Sequence, residues 1–197
     1  MAHTSIPEAS FMKALFTAIF CIFFGANVIP AEPDKDALKK LAAHIGKTFW
    51  SPPEKRLVRA TTYQKGKDGS GSRKNISNAT ISLLRYATAK EAGTIAVPHW
   101  LPCGSMVKIQ TQQGVYAYIA SDNGGDVDNR KAAHSSGKTI EQRGATVLDF
   151  CAPKQLWPDF IIVEIYYYAG KVPFDKLSLE DQKTLFAYAM EYVTKRE

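Results

Sequence analysis

The chain is poor in the residues that build metal centres and nucleophile sites. Its four histidines, at positions 3, 44, 99 and 134, are scattered with no ligand-like pair among them, which argues against zinc. The stretch "DNGGDVD" from Asp122 has the outline of a calcium loop. Val127, however, stands where such a loop turns on glycine, and Ala133 where it needs glutamate, so no metal or other cofactor is expected. Cysteine is nearly as scarce, with Cys21, Cys103 and Cys151 only. Beyond residue 31 no run is long and apolar enough to span a bilayer, and there is no internal repeat or long low-complexity segment. A disordered or fibrous chain is excluded by the 45% of hydrophobic residues, enough to build the core of one ordinary domain.

The first apolar run, "MKALFTAIFCIFFGANVIPA", reads as a secretory signal over residues 1–31, with an uncleaved membrane anchor as the other reading, for which the apolar stretch is short. Lys13 supplies the positive start, Ala14 to Phe24 the apolar stretch, and Ile29-Pro30-Ala31 a small-residue cleavage site. The expectation is a secreted or periplasmic protein with no stable membrane insertion once the signal is removed. That removal takes away Glu8 and Lys13, one charge of each sign, so the formal net charge of +6 persists. A basic exported protein is suited to an anionic matrix such as cell wall or polysaccharide, because field-driven attraction needs no specific contacts. Nucleic acid is not the expected partner, since the lysines and arginines are scattered and the signal leads away from it. Cys103 and Cys151 then form an even pair in an oxidising compartment. A disulfide between them is the leading reading, with two buried thiols as the other.

Residues 32–56 begin with a short amphipathic helix. Leu38, Leu41, Ala42 and Ile45 recur at helical spacing, Asp34 can cap the start and Gly46 stop the end, and Pro52-Pro53 form a linker. From Leu57 the pattern changes to short β-branched or aromatic runs, "LVRATTYQ", "ATISLLRY", "TIAV", "SMVKIQTQ", "GVYAYIAS", "GATVLDF" and "FIIVEIYYY". They are separated by Gly, Pro, Asn, Asp and Ser, the pattern of an all-β sandwich or barrel. "CAPKQLWPD" suggests a helical turn between the last two. Residues 65–75 and the segment "DVDNRKAAHSSGKTIEQ" read as polar loops, and residues 171–197 end in a helix that Ser178 and Asp181 cap. "NIS" at 75 and "NAT" at 78 are glycosylation sequons, relevant only in a eukaryotic secretory route.

Two aspartates stand where strand-like runs meet turns, Asp122 in "SDNGG" and Asp149 in "VLDF". Catalysis and plain turn chemistry are both compatible with that placement. Ile95-Ala96-Val97-Pro98, Leu101-Pro102-Cys103-Gly104, Asp122-Asn123-Gly124-Gly125 and Leu148-Asp149-Phe150 follow one another in an order that is similar to the double-psi β-barrel superfamily. The resemblance is to the three-aspartate domain and the barrel of lytic transglycosylase A, and more distantly to rare lipoprotein A, expansins and barwin-like proteins.

What the resemblance implies is a six-stranded double-psi barrel over residues 57–170, acting on peptidoglycan or another cell-wall glycan. Asp149 would be its general acid and Asp122 a partner that orients the substrate. Gly124 and Gly125 match the glycines that follow the first aspartate of the family, and Tyr63 a groove-facing position on its opening strand. His99 and Trp100, with Tyr63 and Trp157, offer aromatic faces for pyranose rings, Trp157 being equally suited to the core. The insert with Asp126, Asp128 and His134 departs from the family pattern. It keeps open a non-catalytic alternative, an expansin-like or barwin-like module that binds polysaccharide or protein.

Overall fold

A computed structural model of the chain describes residues 34–64, 85–88, 90–122, 135–154 and 156–195. The signal reading for 1–31, both sequons, and Gly124, Gly125, Asp126, Asp128 and His134 lie outside the described residues.

Helix α1 (Lys35–Ile45) starts where expected, with the Asp34 carboxylate accepting from the backbone N–H groups of Asp36 and Ala37 at 2.9 and 3.3 Å. It stops at Gly46, whose φ of 100° suits glycine. Six strands follow: β1 (Glu54–Tyr63), β2 (Gly93–Ala96), β3 (Met106–Thr111), β4 (Gly114–Asp122), β5 (Thr146–Cys151) and β6 (Phe160–Tyr166). They close into a barrel in the order β1-β5-β2-β4-β3-β6, which leaves no open sheet edge. A short helix α2 (Ile140–Arg143) precedes β5. A 3₁₀ turn (Phe174–Lys176) and helix α3 (Leu179–Thr194) end the chain.

The pairing is symmetric in a way that the residues do not announce. β1 runs parallel to β5 and antiparallel to β6, β4 runs parallel to β2 and antiparallel to β3, and β2–β5 and β3–β6 are antiparallel. Exchanging the first three strands for the last three leaves every pairing and direction unchanged. The barrel is thus two interlocked three-strand halves.

Alternation along the strands separates two cores. Val58, Ala60, Ile95, Val107, Tyr118, Leu148, Phe150 and Ile165 point inward and fill the barrel together with Leu101 and Trp157. Outward residues of β3, β4 and β6, namely Met106, Ala117, Ile119 and Tyr166, pack under the two terminal helices, which contribute Leu41, Ile45, Leu185, Phe186, Met190 and Val193. Both faces of β4 are therefore covered, which is why "GVYAYIAS" reads as an almost continuous apolar run. Burying a side chain such as Phe186 in that layer contributes about 1.5–3 kcal/mol. The helical layer is also fixed by polar contacts. The Trp50 indole donates to the Gly104 carbonyl at 2.9 Å, and the Gln182 amide donates to Phe174 and Leu177 carbonyls at 3.1 and 3.3 Å.

Three expectations change. Cys103 and Cys151 remain thiols rather than a disulfide. The barrel sends them to different surroundings, Cys103 against the helical layer and Cys151 beside Tyr63 and Ala96. The "CAPKQLWPD" stretch forms bends, with no helix among its described residues. The segment read as a polar loop carries α2, started by Thr139 and Gln142 in a reciprocal capping box that the sequence spells out. Among the described residues no helix is long and apolar enough to cross a membrane.

Gly104 has φ of 85°, and a Cβ there would sit 2.7 Å from that of Phe174. Gly104→Ala is expected to lose about 2–4 kcal/mol from left-handed strain plus overpacking, read as a lower urea midpoint. Alkylation of the unfolded, unreduced protein followed by mass spectrometry should find Cys103 and Cys151 both modified; a mass two hydrogens short of the free thiols would restore the disulfide.

Candidate functional site

The site is organised by Ala96, the last residue of β2. It pairs with Asp149 of β5 on one side and with Asp122 of β4 on the other. The second pairing requires a bulge. Ile95 is opposite Ala120, whereas Ala96 is opposite Asp122, so Ser121 is an extra residue in β4. Without it, simple alternation from the inward Ala120 would turn Asp122 into the barrel; with it, Asp122 shares the outward face of Ala96. Both aspartates thus flank one small side chain, two strand spacings or about 10 Å apart at the backbone.

Strand β1 supplies what surrounds them. Thr61 is in register with Asp149, and its hydroxyl donates to Asp149 Oδ1 at 2.7 Å. Tyr63 is in register with Cys151, and its hydroxyl donates to Asp122 Oδ2 at 3.3 Å. Tyr63 and Asp122 are only 6% and 7% exposed, so this pair is shielded, whereas Asp149 is half-buried and keeps some exposure. Burial above all, then the negative charges of Asp122, Cys151 and Asp149, pushes the Tyr63 phenol far above the ordinary tyrosine value. It therefore remains a donor to Asp122 at any ordinary pH. The two carboxyls consequently differ in environment, one enclosed and hydrogen-bonded by a phenol, the other partly exposed.

The remaining candidates are spread more widely. Tyr63, expected on the groove wall, is beneath the surface with its hydroxyl committed to Asp122. His99 is exposed in the turn after β2. Trp100 is 43% exposed, with the Arg56 guanidinium 4.9 Å above its ring. Arg56 is itself held by Glu54 at 2.6 Å, and the Tyr167 hydroxyl donates to the same carboxylate at 2.7 Å. Trp157 belongs to the core, packed edge-on against Phe150 and Tyr118. Thr61 carries no motif of its own in the sequence. Its place on the Tyr63 face follows from period-two alternation, but its meeting with Asp149 needs the β1–β5 register. Among the described residues no group of three or more His, Cys, Asp or Glu could hold a metal ion.

Compared with known proteins, the chain matches no family model, no curated protein and no solved structure. The geometry of this face is accordingly what a functional reading has to stand on.

Burial pushes Tyr168 and Cys103 up to about 12, and it raises Tyr63 and Tyr118 as well. The unfolded chain ionises these groups at about 8.5–10 while the folded one resists, so stability is complete below that range and falls as pH rises toward 12. Unfolding midpoints measured from pH 8 to 11.5 should decline. Tyr63→Phe should flatten part of the decline while costing about 1–3 kcal/mol at pH 7, because the enclosed Asp122 loses a donor.

Proposed function

We propose that the chain is an exported double-psi β-barrel that cleaves cell-wall glycan, with peptidoglycan as the substrate class, by lytic transglycosylase-type chemistry. The observation that carries this reading is the pair of aspartates on either side of Ala96, on one outward face, with Asp149 partly exposed and Asp122 enclosed. The exchange symmetry of the strand pairing supports the double-psi assignment, because two interlocked halves are what that topology requires. The net charge of +6 supports an anionic matrix as partner.

In this reading the Asp149 carboxylic acid protonates the glycosidic oxygen as the C1–O bond breaks. The resulting carboxylate then takes the proton of the sugar's own 6-hydroxyl. That oxygen closes on C1 and leaves a 1,6-anhydro end, so one carboxyl serves as acid and then as base. Thr61 fixes the rotamer of Asp149, and its donated hydrogen bond is strongest to the carboxylate stage. Asp122, anchored by Tyr63, orients the substrate from the far side of Ala96.

A second reading has a specific observation in its favour. At 7% exposure Asp122 is covered as a structural aspartate would be, which suits a barrel that binds polysaccharide without cutting it.

Incubating purified protein with peptidoglycan sacculi and analysing the soluble fraction by mass spectrometry separates the two. Cleavage predicts anhydro-muropeptides from the wild type and a loss of about 10²–10⁴-fold in Asp149→Asn, the range for a general acid. Release of nothing, with the protein still pelleting with sacculi, would establish the binding module instead.

A further inference from the structure

The face that carries Asp149 also carries a cation with no anion of its own. Arg59 stands two residues before Thr61 on β1, and therefore on the same outward side. Across the parallel pair it is in register with Val147, two residues before Asp149, and on its other side it is opposite Phe160. Val147, Ala145 and Phe160 form a small apolar cluster, an appropriate bed for an arginine stem. The head is less well provided for. Among the described residues Arg59 Nε is buried with no acceptor, and no carboxylate forms an ion pair with Arg59.

Two other arginines of the barrel region show the contrast. Arg56 is bonded to Glu54 and stacked on Trp100, and Arg85 is paired with Glu91 at 3.3 Å and stacked on Phe186. Among the described residues Arg59 forms neither an ion pair nor a cation–π contact. A buried guanidinium N–H without an acceptor is a cost that native structures rarely leave standing. Arg59 as a residue is only partly buried, and the two terminal nitrogens of a guanidinium also form a planar fork whose spacing fits the two oxygens of a carboxylate.

Position decides what such a fork is for. Two residues along a strand are about 7 Å, so Arg59 is roughly one pyranose unit from the Asp149 row. We propose that Arg59 is a specificity residue, binding a carboxylate carried by the sugar unit next to the bond that Asp149 acts on. The protein thereby selects acid-bearing glycan over neutral glycan of the same backbone. This inference rests on the glycan-cleaving reading and adds to it the charge of the substrate.

The test uses one backbone in two charge states. Peptidoglycan strands stripped of their peptides expose free lactyl carboxylates, and amidating those carboxylates gives the neutral counterpart. Cleavage (kcat/KM) and binding of both are measured for the wild type, Arg59→Gln and Arg59→Lys. The wild type should prefer the acidic strand by roughly ten- to a hundredfold, the range of one hydrogen-bonded charge contact. Arg59→Gln should lose that preference, bringing the ratio of kcat/KM on the acidic and amidated strands to about one. Arg59→Lys should retain part of the preference, because it keeps the charge and loses the fork. Equal use of both strands by the wild type, or an undiminished preference in Arg59→Gln, overturns the role of Arg59 and leaves the glycan reading standing. If the wild type neither cuts nor binds either strand, both readings fall together.

Discussion

The arrangement of this protein depends on a four-residue strand, β2, being hydrogen-bonded on both sides at once. Its residues Gly93 to Ala96 are all buried, and it joins β5 to β4 in the closed ring. Gly93 has no room for a side chain, since a Cβ there would meet the Ala87 backbone nitrogen at 2.5 Å and the Tyr118 ring at 2.7 Å. Ile95 then enters the barrel interior and Ala96 turns outward, small enough to lie between two aspartates. A larger residue at 96 would fill the space that Asp149 and Asp122 share. The site is thus a property of a backbone junction more than of any one side chain.

Support for that junction comes from the layer on the opposite side of the barrel. The terminal helices cover the outward residues Met106, Ala117, Ile119 and Tyr166 of β3, β4 and β6. Trp50 reaches Gly104, whose N–H in turn donates to the Ala120 carbonyl at 2.7 Å, immediately before the bulge at Ser121. Packing on the helical side therefore bears directly on the residue that re-aims Asp122. A rigid element behind a bulge is a sound way to hold a carboxylate that must not turn inward.

Much of the chain was legible from the residues. The spacing of Leu38, Leu41 and Ile45 and the caps at Asp34 and Gly46 define α1 closely, and Ser178 marks the start of α3. The six apolar runs that became strands are bounded by turn residues strong enough to be read without a fold. Where the reading differed, the competing physics was non-local. Two cysteines in a presumed oxidising compartment suggest a bond, but only the paths of β5 and the turn before β3 determine that they lie in different clusters. Tyr63 has the pattern of a surface aromatic, and it is the approach of Asp122 and Cys151 that encloses it.

The residues themselves mark α1, α3, the six strand runs, the alternation that divides inward from outward residues, and the two strand-end aspartates, while α2 is not read from them. Those are consequences of local periodicity and turn chemistry, which act over a few residues. The tertiary structure alone decided closure into a barrel, the exchange symmetry of its halves, the bulge at Ser121, and the meetings of Thr61 with Asp149 and Tyr63 with Asp122, separated by 88 and 59 residues. A one-residue shift in register would send any of these side chains to the other face without altering the hydrophobic pattern of its own strand. Register is set by how six strands close together, so the site exists only once the ring is complete.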